Sequence, residues 1–131
     1  MEQKYKQFIQ ILILFLIMDF ITIGFINNSL YKDQFNLINI GTVSDTLFNK
    51  IIYGTITYFL MTFGLYYFII KDKKNIYSAM LLGLIIYGIY NGTNIITINS
   101  YKLKVAIIDT IWGMTLFGLT TYLIYKFDNI Q

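Results

Sequence analysis

The chain has no cysteine, histidine, proline or arginine, and only 13% of its 131 residues are charged. Without cysteine there is no disulfide and no thiolate chemistry, and redox compartment cannot be read from it. Without cysteine or histidine the usual ligands of zinc, haem and iron–sulfur clusters are missing, so neither metal nor cofactor is expected. Low charge beside 56% hydrophobic residues excludes an ordinary soluble domain, and the length leaves no room for a soluble catalytic one. All 10 basic residues are lysine and the net charge is only +3. These lysines fall outside the apolar runs, where a membrane surface explains them. No basic, aromatic-interleaved surface is offered to nucleic acid.

What the chain does have is length of apolar sequence. A hydrocarbon core of ~30 Å needs about 20 helical residues. Four segments meet this, at 8–26, 51–70, 76–98 and 105–124, with Lys50, Lys71, Lys104 and Lys126 bracketing the second and fourth. The expected fold is therefore an all-α, integral membrane four-helix bundle, with residues 1–131 as one transmembrane domain. The first segment is too long for a signal peptide, carries an acid, and runs into Asn27-Asn28-Ser29 without a small-x-small cleavage pattern, so it reads as a retained anchor. With four spans both termini share a side. That side collects Lys4, Lys6, Lys71, Lys73, Lys74 and Lys126, against Lys32, Lys50, Lys102 and Lys104 opposite. The bias predicts a multi-pass protein with cytoplasmic termini. The polar connection from Asn27 to Lys50 reads as a surface loop turning at Gly41-Thr42, or as a lid, with Ser44-Asp45 capping an early start of the second span.

Asp19 and Asp109 lie inside apolar segments. A carboxylate at a helix centre costs roughly 2.5–3.5 kcal/mol even on the mild insertion scale, and such groups usually mark sites or pathways. At ~1.5 Å rise per residue, Asp19 is about 10 Å below the end of its span at Ile26. Asp109, Asn91, Asn94, Thr55, Thr57 and Tyr58 fall at a similar level in the same half of the bilayer, while the other half is more uniformly apolar. Asp109 and Trp112 share a helix face, as do Asn91 and Asn94, with Tyr87 and Tyr90 one turn earlier. Asp19 and Asp109 are the candidate catalytic pair, expected to share a proton. Asn91, Asn94, Tyr90 and Trp112 are the candidate ligand-binding residues. The bland alternative is that Asn91, Asn94, Thr93 and Thr97 are interhelical glue at ~0.6 kcal/mol each, with Gly88/Gly92 and Gly113 as close-packing positions.

These residues also carry a resemblance. The sequence is similar to a family of small bacterial-type integral membrane proteins known as domain-of-unknown-function family 2177. That family shows D-x-x-W-x-G in the first helix, Y-D-x-T-N in the third and V-x-D-x-x-W-G in the fourth. Asp19 to Gly24 match the first motif, with Thr22 where tryptophan is usual, and Tyr31 matches an aromatic that follows. Tyr90 to Asn94 match the second, with Asn91 replacing its aspartate; Ile107 to Gly113 match the third. The resemblance implies a four-helix membrane protein and brings no established activity; the Asn91 departure takes one carboxyl from the site.

Together these features point to a pocket for a lipid or small molecule. General acid–base chemistry by carboxyl groups and tyrosine is the chemistry within reach. The alternatives are a structural membrane or envelope subunit, or a small proton-coupled transporter using Asp19. A homo-oligomer is compatible with each.

Overall fold

The structure, a computed structural model, describes residues 2–38 and 46–130. It is an all-α membrane helical bundle. Helix α1 (Gln3–Ile21) continues through a wider π-helical turn (Thr22–Ile26) and gives way to a short helix α2 (Asn28–Ile38). Helix α3 (Leu47–Leu65) also ends in a π-helical turn (Tyr66–Ile70), followed by α4 (Ile76–Thr97) and α5 (Leu103–Phe127). Four of these helical stretches, Gln3–Ile26, Leu47–Ile70, Ile76–Thr97 and Leu103–Phe127, are long and apolar enough to cross a membrane.

The spans begin where their caps allow. Thr46 Oγ1 accepts the Asn49 amide at 3.3 Å, so α3 starts four residues before Ile51. The Gly41-Thr42 turn and the Ser44-Asp45 cap lie outside the described residues. Asn75 Oδ1 accepts the Ser78 amide at 2.9 Å and opens α4 after the Lys71–Asn75 turn. Part of the expected loop is instead helical: α2 turns Tyr31 and Gln34 inward, three residues apart on one face.

Helix α5 is the centre of the bundle, with 44% of its span buried against 17–22% for the others. Its most extensive contact is with α4. On α4 the buried or half-buried row runs Ala79, Gly83, Tyr87, Asn91, a ridge of i+4 steps. A Cβ on Gly83 would come within 2.3 Å of the Gly113 carbonyl oxygen, and one on Gly113 within 2.1 Å of the Tyr87 ring. The close approach therefore uses Gly83 and Gly113. Gly88 and Gly92 do not make it: Gly88 has only Thr110 at 3.8 Å, and Gly92 has nothing within 4 Å.

On α1 the inward row is Gln7, Ile11, Phe15, Asp19, so Asp19 continues an apolar packing stripe. Phe15 meets Phe117 of α5 at 5.0 Å between ring centroids, directly in that core. Helix α3 packs through its second half, at Met61, Thr62 and Leu65, while Ile51, Tyr53, Ile56 and Phe59 stay exposed.

At the terminal end Asp128 ties α5 back to α1. Its carboxylate, with a side chain only 1% exposed, accepts from Gln3 Nε2 at 2.7 Å, Lys6 Nζ at 2.7 Å and Gln7 Nε2 at 2.9 Å. Burial pushes the pKa of this group up, but the hydrogen bonds and the Lys6 charge outweigh it and hold it below its ordinary 3.8. A carboxyl lowered on folding stabilises the protein fully above its unfolded pKa and loses that contribution as pH falls through the folded one. Asp128→Ala is expected to cost about 1–3 kcal/mol at neutral pH. Unfolding in detergent followed from pH 6 to pH 3 should show the variant converging on the wild type at the acid end.

Candidate intramembrane polar site

Two carboxyl groups organise the polar layer, each bonded by neutral donors. Asp19 receives the Tyr58 hydroxyl on Oδ2 and the Trp112 indole N–H on Oδ1, both at 2.7 Å. Asp109 receives the Tyr31 hydroxyl on Oδ1 at 2.6 Å and the Asn91 amide on Oδ2 at 2.8 Å. The first node joins α1, α3 and α5; the second joins α2, α4 and α5. Asp109 and Trp112 are one turn of α5 apart, so the nodes are neighbours separated by ~5 Å of helix rise. Among the described residues each carboxyl is bonded by its own pair of neutral donors.

Asn91 is 2% exposed and is the most connected side chain of the second node. Its Nδ2 donates to Asp109, to the Tyr87 carbonyl at 2.9 Å and towards Thr110 Oγ1 at 3.3 Å, and its Oδ1 accepts from the Tyr101 hydroxyl at 2.6 Å. An ionised aspartate here would offer Asp109 no donor, whereas the Asn91 amide offers one at any pH.

Helix α2 closes this node from outside. Gln34, 2% exposed, donates to the Ser100 carbonyl at 3.0 Å and accepts the Lys102 amide at 2.8 Å, clamping α2 onto the α4–α5 connection. That clamp positions Tyr31 over Asp109. Burial, the bond to Asp109 and the neighbouring charges push the Tyr31 phenol far above its ordinary pKa, so it remains a donor. Tyr101 is raised too, mainly by burial, with the Asn94 amide opposing. Removing the clamp with Gln34→Ala is expected to speed amide hydrogen exchange across 28–38 at least about tenfold, following the loss of two hydrogen bonds of ~1 kcal/mol each.

Asp19, Asp109, Asn91 and Trp112 are thus brought together. Asn94 lies at the edge beside Tyr101, and Tyr90 is 58% exposed with no hydrogen bond to either acid. Thr93 and Thr97 bond to carbonyls of their own helix and, among the described residues, link no two helices, as is also the case for Thr55 and Thr57 of the expected polar level. Tyr31, Gln34 and Tyr101 complete the layer from outside the apolar runs. Among the described residues no group of three acids could hold a metal ion.

The Asp19 node has an open side. A groove of about 620 Å³ runs along the exposed flank of α1, lined by Leu16, Phe20, Ile23 and Gly24, with Asp19 and Tyr58 among its walls. The π-helical turn begins three residues after Asp19, closed by the Asn27 amide on the Thr22 carbonyl at 2.8 Å. Such turns occur frequently at functional sites.

Membrane-length helices around a buried polar layer define an all-α integral membrane protein. More particularly, the chain belongs to the family described as "Predicted membrane protein (DUF2177)", which matches residues 4–126. No curated protein and no solved structure matches the chain.

Proposed function

We propose that the protein binds a lipid or small molecule in an intramembrane pocket, with Asp19 and Asp109 as its hydrogen-bonding or acid–base groups. One observation carries this reading: Asp19 and Tyr58 are among the residues that line a groove on the flank of α1 whose other walls, Leu16, Ile17, Phe20 and Ile23, are apolar. Trp112 holds Asp19 from behind the groove and orients it, while Asn91 orients Asp109. Asn94 and Tyr90 flank the layer and touch a ligand only if it extends towards α4. The lysine bias supports cytoplasmic termini, which puts the pocket in the outer leaflet. If the site is catalytic, modification or transfer of a membrane lipid by carboxyl acid–base chemistry suits its groups.

The second reading is structural, with the protein a membrane subunit held by its acids. It is favoured by the fact that each of the four carboxyl oxygens already has a donor. Native mass spectrometry in mild detergent separates the two, using wild type, Asp19→Asn and Asp109→Asn. Each variant amide keeps one acceptor oxygen, and the facing tyrosine hydroxyl can reverse to accept from its NH₂, so both are expected to fold. The expected result is a retained molecule in the wild type that is lost from Asp19→Asn with helicity unchanged. An empty wild type, with variants that lose helicity or an oligomer, makes the acids structural.

A further inference from the structure

We infer that the groove beside α1 takes a lipid alcohol: an acyl or isoprenoid chain whose uncharged hydroxyl donates to the Asp19 carboxyl. This rests on the pocket reading above and gives its ligand a chemical class.

Charge excludes the common alternative. The groove is lined by apolar side chains, Gly24, Asp19 and Tyr58, with no lysine among them. Among the described residues every donor on Asp19 and Asp109 is neutral. A phosphate brought here would set an anion against an acceptor with no cation to compensate, which is the costly case of charge burial.

Depth argues against a cation as well. Asp19 is about 10 Å inside the end of its span, where a charged head pays the transfer cost of the hydrocarbon and a single hydroxyl pays far less. The carboxyl is already bonded by a group of this kind, the Tyr58 O–H at 2.7 Å. Each carboxyl oxygen can accept two hydrogen bonds, and among the described residues one is used on each Asp19 oxygen, which leaves acceptor capacity for an incoming O–H.

The shape suits a chain with a small polar end. A volume of about 620 Å³ falls within the ~300–1,000 Å³ of small-molecule sites. The wall is apolar along Leu16, Ile17, Phe20 and Ile23. At Gly24 a Cβ would meet nothing within 4 Å, so the space beside the π-helical turn is open.

Trp112 is the protein's single tryptophan and donates directly to Asp19, so its fluorescence reports on the site. The full-length protein in detergent micelles is titrated separately with 1-dodecanol, dodecylamine, dodecyl phosphate and n-dodecane. The expected result is a saturable change in Trp112 emission with dodecanol, at least about tenfold weaker with the other three, one hydrogen bond to a buried carboxyl corresponding to about that factor. Gly24→Leu adds a side chain to the groove lining at a position where the Cβ meets nothing within 4 Å, and is expected to fold while weakening the dodecanol response about tenfold. Equal responses to dodecanol and dodecane, or a dodecanol response untouched by Gly24→Leu, would overturn the proposal. Tighter binding of dodecylamine or dodecyl phosphate would overturn the alcohol and leave the pocket standing. No saturable response to any probe, with no molecule retained in native mass spectrometry, removes both.

Discussion

Gly83→Ala is expected to push α4 away from α5 and to destabilise the protein by about 1–3 kcal/mol or more. The added methyl would lie 2.3 Å from the Gly113 carbonyl oxygen and 3.0 Å from Phe117 Cβ. A backbone oxygen cannot swing aside as a side-chain tip can, so the helices themselves must move apart. They are the most extensively packed pair in the bundle, and Tyr87 and Asn91 follow Gly83 along the same ridge, so the polar layer moves with them. Gly113→Ala is expected to be damaging too, because its Cβ would overlap the Tyr87 ring. Gly92→Ala is the control: it meets nothing within 4 Å and gains helix propensity of up to ~1 kcal/mol. Thermal unfolding in detergent, followed by circular dichroism, gives the order. A stable Gly83→Ala beside a damaged Gly92→Ala would mean that α4 turns a different face to α5.

That contrast marks what the sequence alone conveys. The Gly88/Gly92 spacing has the form of a helix-contact motif, but spacing identifies a smooth face without saying which neighbour meets it. The face that meets α5 is the i+4 row of Ala79, Gly83, Tyr87 and Asn91. Gly88 and Gly92 are one residue further on, rotated by about 100°. Only the facing residues of α5, Gly113 and Phe117, decide between the rows, and that is a tertiary fact. The four spans were legible because apolar length is a local property that no packing overrides.

The polar layer divides along the same line. Asp19, Asp109, Asn91 and Trp112 stand out because each interrupts or punctuates an apolar run. Asp19 also continues the inward row of Gln7, Ile11 and Phe15, so its direction was available from periodicity. Tyr31, Gln34 and Tyr101 were not, since they lie in polar stretches where tyrosine and glutamine are unremarkable. The helix that carries the first two is short, and its apolar content is too low to signal a span. Its marks are a tyrosine and a glutamine three residues apart on one face of an Asn-rich segment, and the family resemblance at Tyr31. Tyr90 is the converse case: it neighbours Asn91 in sequence, yet one step of helix turns it out to the surface.

Asn91→Asp should have the second large effect, and its rescue is the sharper test. The substitution replaces an N–H donor with a carboxyl oxygen facing Asp109 Oδ2, across the 2.8 Å now spanned by a hydrogen bond. Ionised, the two carboxyls set acceptor against acceptor in a buried layer, and relief requires one of them to hold a proton, at an expected cost of about 2–3 kcal/mol at neutral pH. Asp109→Asn, added to it, exchanges the roles of the two residues. The amide at 109 would donate to the carboxyl at 91 and still accept the Tyr31 hydroxyl, while the carboxyl at 91 keeps the Tyr101 hydroxyl that Asn91 holds at 2.6 Å. The Thr110 hydroxyl, which now accepts from Asn91 at 3.3 Å, can reverse and donate. The double variant is therefore expected to recover part of the loss, short of the bond that Asn91 now gives the Tyr87 carbonyl at 2.9 Å, with a coupling of about 1–3 kcal/mol between the positions. Unfolding of the four proteins of the cycle measures it. If Asn91→Asp is as stable as the wild type, or the losses simply add, Asn91 is not the donor that satisfies Asp109. A recovered double variant would further separate structure from function, because it restores the bonding with the carboxyl moved from α5 to α4. Ligand retention in that protein then tells whether the site needs an acid at 109 itself or only a satisfied pair.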